Sequence, residues 1–181
     1  MPTHTAQQFQ DIGPAELTWK GNVLGKTVAN PNGGTHGGVG VKIMTERRDV
    51  LRDAKGTNPH DKIIVGRSAE VESNLTGLSL SQMKDLIPGS TLSAGAQKSL
   101  QLLNPVGMSE RESAGLLIIK PIDTGVVSTD ESEWLQFALA FPVPNFDFKF
   151  DLENQKVFNV MWDIFDDLTT GNIATLGQNS T

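Results

Sequence analysis

The feature that most constrains this chain is a strict two-residue alternation of apolar and polar side chains, because only an extended strand with one buried face turns such a pattern into a core. It is sharpest near the C-terminus. Phe146-Asp147-Phe148-Lys149-Phe150-Asp151 alternates aromatic with charge, and Val157 to Phe165 sets Phe158, Val160, Trp162 and Ile164 on one side. Joined across Leu152-Glu153-Asn154-Gln155, these segments predict a C-terminal hairpin. The same period recurs upstream. Leu17 and Trp19 oppose Glu16, Thr18 and Lys20, with a turn at Gly21-Asn22 before Val23-Leu24; Val39, Val41 and Ile43 share a side in Val39 to Thr45. Ala69, Val71 and Leu75 oppose Ser68, Glu70, Glu72 and Asn74, and Leu135, Phe137, Leu139 and Phe141 oppose Gln136, Ala138 and Ala140. Gly115 to Pro121 is an apolar run of strand length, suited to burial on both faces.

One segment changes period. Ser79 stands where a helix N-cap belongs, Gln82 follows three residues on as its reciprocal partner, and Leu78 with Met83 are spaced as a hydrophobic staple. This predicts a helix from Leu80 to Ile87, ended by Pro88-Gly89: proline disfavours helical geometry in the residue before it, and glycine accepts the left-handed exit. Between Ser90 and Ser113 the helical spacing of Ala96, Leu100 and Leu103 is broken by Asn104-Pro105-Val106-Gly107. With 18 Gly and 9 Pro in 181 residues, turns outnumber what long helices tolerate, so the expected fold class is mainly β (all-β or α+β). The length suits a single domain, residues 1–181, with residues 1–13 and 169–181 as extended arms.

Composition removes several function classes. There is no cysteine, which excludes disulfides, thiolate zinc sites and a cysteine nucleophile. A net charge of −6 argues against a DNA-gripping surface, which needs clustered Lys and Arg. The start lacks a basic, then apolar leader, and no stretch approaches about 18 consecutive apolar residues, so neither a cleaved signal nor membrane insertion is expected.

The glycine-rich run Asn32-Gly33-Gly34-Thr35-His36-Gly37-Gly38-Val39-Gly40 imitates a phosphate loop in the spacing of Gly33 and Gly38. Val39-Gly40 stand where Lys and Ser or Thr would reach phosphate and metal, and a strand follows instead of a helix. His4, His36 and His60 lack a second ligand at compact spacing, so no metal and no cofactor is expected. Glu70 and Glu72 sit on one side of a strand like a carboxylate pair, but the alternation with Val71 already explains them as a solvated face. That explanation also covers Asp130, Glu131 and Glu133, and Asp163, Asp166 and Asp167. No Gly-x-Ser-x-Gly elbow occurs, and no enzymatic activity is expected. The segment Glu46, Arg47, Arg48, Asp49, Val50, Leu51, Arg52, Asp53, Ala54, Lys55 differs in kind: dense charge of both signs surrounds an apolar pair. Such a surface suits recognition, complementary charges setting register around a small apolar centre; an ordinary solvated loop is the alternative.

The order of these pieces, namely hairpin, charged excursion, the strand Arg67 to Leu75, the short helix Leu78 to Leu86 and a closing hairpin, resembles the tail tube (major tail) proteins of bacteriophages. Val157-Phe158-Asn159-Val160-Met161-Trp162-Asp163-Ile164-Phe165-Asp166-Asp167, followed by Gly171 and Gly177, is similar to that family's last strand and exit. The resemblance implies a fold of two packed antiparallel sheets forming a sandwich or barrel with one short flanking helix, and a structural virion protein, assembled in the host cytoplasm. Hexameric rings stack into a tube around a tape-measure protein, between tail terminator and baseplate or tip proteins, with or without a sheath. DNA passes through without specific binding. It also implies that Arg47 to Lys55 form a loop reaching the adjacent ring, and that lumen acids, with Glu70 and Glu72 as candidates, repel passing phosphates. Two other readings stay open from sequence: a β-sandwich module binding carbohydrate or another ligand, and a related tube or ring such as a contractile secretion tube or tail terminator.

Overall fold

A computed structural model describes residues 14–25, 34–50, 61–93, 98–123, 125–145 and 157–177. Among these residues eleven strands fall, in chain order, at β1 Ala15–Trp19, β2 Asn22–Val23, β3 Thr35–Val50, β4 Asp61–Thr76, β5 Thr91–Leu92, β6 Leu100–Gln101, β7 Gly115–Asp123, β8 Val126–Val127, β9 Leu135–Asn145, β10 Val157–Phe165 and β11 Thr175–Leu176. Helix α1 spans Leu80–Leu86, and α2, Glu110–Ser113, is a single turn.

Nine strands make one antiparallel sheet in the order β2-β1-β7-β9-β10-β4-β3, with β8 added beside β7 and β11 beside β9; β5 and β6 form a separate ribbon. The mainly β, antiparallel expectation holds. The strands are joined in one path, and among the described residues the sheet does not close into a barrel. It is, however, strongly curled. Trp19 on β1 and Trp162 on β10 lie three strand positions apart, about 14 Å in a flat sheet, yet their rings meet edge to face with centroids 5.8 Å apart. Curling brings the two ends together, and Thr35 Oγ1 on β3 donates to the Ala15 carbonyl oxygen at 3.1 Å.

The concave side holds the core: Leu17, Trp19, Val71, Leu75, Leu117, Phe137, Val160 and Trp162, with Leu86 of α1 closing over it. Phe158, Val160 and Trp162 fall on the side that alternation assigns them, opposite Leu75, Ser73 and Val71 of β4. Helix α1 carries both halves of the capping box, Ser79 Oγ accepting from the Gln82 amide and Gln82 Oε1 accepting from the Ser79 amide. Ile87 is extended before its proline and Gly89 takes φ 73°, so the helix stops where expected.

Three expectations are corrected. The β1–β2 turn is Lys20-Gly21, since Trp19 pairs Asn22; both turn residues have positive φ, 47° and 80°, the geometry that matches strand twist in a two-residue hairpin. Strand β1 is buried on both faces, including Glu16 and Thr18, with the Lys120 ammonium 3.9 Å from the Glu16 carboxylate. In β9 alternation breaks: Leu117 pairs Phe137 while Gly115 pairs Ala140, so β9 carries one extra residue, a bulge. Beyond it Ala140 and Pro142 turn to the core beside Trp162, and Phe141 is buried on the opposite side against the Pro105 and Met108 loop. The stretch from Ser90 to Ser113, which sequence left unassigned, carries the short ribbon strand β6 at Leu100 and the single turn α2. The strand expected at Phe146 to Asp151 lies outside the described residues, as do residues 1–13; β10 instead pairs with β9 and β4. The stretch from Thr169 is tied back over its described part. The Gly171 amide donates to the Asp167 carbonyl at 2.6 Å, and β11 pairs with Leu135 and Gln136.

Candidate functional site

The most distinctive surface is the hairpin of β3 and β4, each 16 residues, about 50 Å long at strand rise. Its base belongs to the sheet, and its far half does not. β10 accompanies β4 only as far as Asp163 opposite Glu70, so Ile43 to Val50 and Asp61 to Ala69 pair only with each other among the described residues. The far half is nonetheless rich in exposed apolar side chains, Ile43 (51 % exposed), Ile63 (47 %), Ile64 (59 %) and Val65 (55 %). A bulge lies here too: Glu46 pairs Gly66 and Arg47 pairs Ile64, leaving Val65 as the extra residue of β4.

Glu46, Arg47, Arg48, Asp49 and Val50, expected in an excursion after a strand, are themselves strand residues, opposite Gly66, Ile64, Ile63, Lys62 and Asp61. Asp49 and Lys62 form a cross-strand ion pair at 3.7 Å. Leu51, Arg52, Asp53 and Lys55 lie outside the described residues. The apolar run Lys62-Ile63-Ile64-Val65-Gly66 was the part of this surface that alternation could not flag, because three consecutive β-formers carry no period. Its signal was that run itself, placed next to a charged segment of matching length.

Glu70 and Glu72 project from the convex side of β4, as alternation requires. Glu70 faces Lys42 of β3 across 3.9 Å, and Glu72 accepts from Asn159 Nδ2 at 2.9 Å, whose other contact is Asn74 Oδ1 at 3.0 Å. Both carboxylates are exposed, and Asp163 lies on the same face opposite Glu70. This face is therefore acidic and fixed in register by a polar ladder.

The glycine-rich run serves the hairpin's base. Gly37 and Gly38, at φ 78° and 87°, take up the register shift between Thr35 and Val39; Asn32 and Gly33 lie outside the described residues. His36 is exposed, and His4 and His60 lie outside the described residues. Among the described residues no three His, Asp or Glu side chains gather as metal ligands. An open cleft of about 440 Å³ runs between the β4 arm at Ile64 to Arg67 and the turn at Asp166 and Gly171. Within that turn the Asp167 carboxylate accepts from the Thr169 amide and the Thr170 hydroxyl, which lowers its pKa below the usual carboxylate value.

No protein-family model matches this chain, and no curated protein matches it.

Proposed function

We propose that the chain is a structural subunit whose copies close into hexameric rings and stack into a tube, the arrangement of the phage tail proteins its sequence resembles. The observation that carries the reading is the far half of the β3–β4 hairpin, a two-stranded ribbon that leaves the sheet with Ile43, Ile63, Ile64 and Val65 uncovered. A lone ribbon is marginal in water, and clustered exposed Ile and Val mark a surface that another protein covers. Charges of both signs from Glu46 to Asp49 surround that apolar centre and would set its register on a neighbour.

In this reading the arm, with Glu46 to Lys55, lies against the adjacent ring. The curled sheet acts as a sandwich-like wall, its convex face with Glu70 and Glu72 turned to a lumen through which DNA slides. A tape-measure protein fills the tube during assembly, and terminator and baseplate or tip proteins close its ends. The subunit binds no cofactor and performs no catalysis. Negative-stain microscopy and sedimentation of the purified chain at rising concentration test the proposal. Hollow rings or rods are expected; a chain that stays single throughout overturns it.

A further inference from the structure

Strand β3 is the last of the sheet, and among the described residues it pairs with β4 alone, so its other edge offers unpaired amides and carbonyls along the arm. Read along one face, that edge presents Gly40, Lys42, Met44, Glu46 and Arg48. The order is self-complementary. If a second β3 lies antiparallel to the first with Met44 opposite Met44, Lys42 of each copy faces Glu46 of the other, twice about the two-fold axis.

The next row fits as well. Arg48 of the second copy falls opposite Gly40, which has no side chain, and behind Gly40 on β4 stands Glu72. A guanidinium can cross the bare glycine to that carboxylate, which has acceptor capacity left beyond its bond from Asn159. Lys42 would sit between Glu70 of its own copy, now 3.9 Å away, and Glu46 of the other. Lys42 and Glu70 are both more than half exposed, so among the described residues this part of the row is open to a partner. On the opposite face Ile43, also exposed, would gain Thr45 of the second copy as cover.

We propose that the free chain forms a two-fold dimer in which the β3 edges pair antiparallel about Met44 and the two hairpins join as one four-stranded ribbon. This goes beyond the tube reading. An isologous contact saturates at two copies, so the dimer is a holding state that covers the edge until head-to-tail contacts displace it.

The chain has no cysteine, which makes the axis directly addressable. Opposed residues of an antiparallel pair have Cα atoms about 4.5–5.5 Å apart, within disulfide reach, so mild oxidation of Met44→Cys is expected to give a covalent dimer. Lys42→Cys and Glu46→Cys should link poorly alone and well when co-expressed. In sedimentation, K42E sets Glu against Glu46 at both symmetric contacts and should weaken the dimer on the order of tenfold or more, while K42E/E46K should recover most of the loss; matching urea midpoints establish that the variants are folded. Association without the Met44→Cys link and without response to K42E overturns the edge pairing and leaves self-assembly standing. A wild-type chain that is monomeric at every concentration overturns both.

Discussion

The indole N–H of Trp162 donates to Ser73 Oγ at 2.9 Å, and Ser73 Oγ donates in turn to the Val160 carbonyl at 3.3 Å, all within the closed core. Ser73 is the polar residue on the inward side of β4, and its hydroxyl satisfies a donor that the curled sheet has removed from water. Ser73→Ala leaves that indole buried and unpaired and should cost about 1–3 kcal/mol. The urea midpoint reads it directly; an unchanged midpoint would show that the indole has another partner.

Thr18 has the opposite sign. Its hydroxyl is buried on β1 and has no hydrogen-bond partner among the described residues. Thr18→Val keeps the branched shape that a strand accepts and removes the unsatisfied group, so thermal unfolding should move upward, by about 1 kcal/mol in free energy.

Ile64→Asp alters a side chain that is largely exposed in the single copy. Its effect on folding stability should stay within about 0.5 kcal/mol, whereas higher-order assembly should be lost, since a charge would enter the apolar centre of the arm's contact. Calorimetry and sedimentation on one sample separate the two effects. Assembly at wild-type concentrations would remove the arm from the interface.

Asp167 gives a pH dependence. Its pKa is lowered by the hydrogen bonds it accepts from Thr169 and Thr170, so the ionised form favours the folded turn. That contribution is present above the ordinary carboxylate pKa and is lost as pH falls through the lowered one. Amide resonances of Thr169 and Gly171 should therefore lose protection on acidification, and Asp167→Asn, which cannot titrate, should abolish that transition; an unaltered profile in the variant would assign the titration elsewhere.

Strand positions and inward faces were legible wherever one side of the sheet is wet. Phe158, Val160 and Trp162, or Ala69, Val71 and Leu75, announce a half-buried strand through period alone, and the Ser79–Gln82 box announces α1 through local chemistry. Three things were not legible. Burial of Glu16 and Thr18, on the side of β1 opposite Leu17 and Trp19, depends on neighbours distant in sequence such as Lys120 of β7, which no local window contains. The bulge in β9 is a backbone irregularity with no residue type to mark it. The arm's apolar character rests on Ile63, Ile64 and Val65, a run that reads equally as a core strand, and only the early departure of β10 leaves it uncovered.

The bulge in β9 bears on how such a chain can diverge. Its one supernumerary residue lies between Phe137 and Ala140, and the bulge absorbs it, so that Ala140 keeps the side of Phe137. Deleting Leu139 would relax the bulge into plain alternation and leave Phe137, Ala140 and Pro142 on the core side, so the loss of one codon inverts nothing here. A one-residue change of length should therefore be more common in descendants at this spot than in β10, whose unbroken alternation a single deletion would invert.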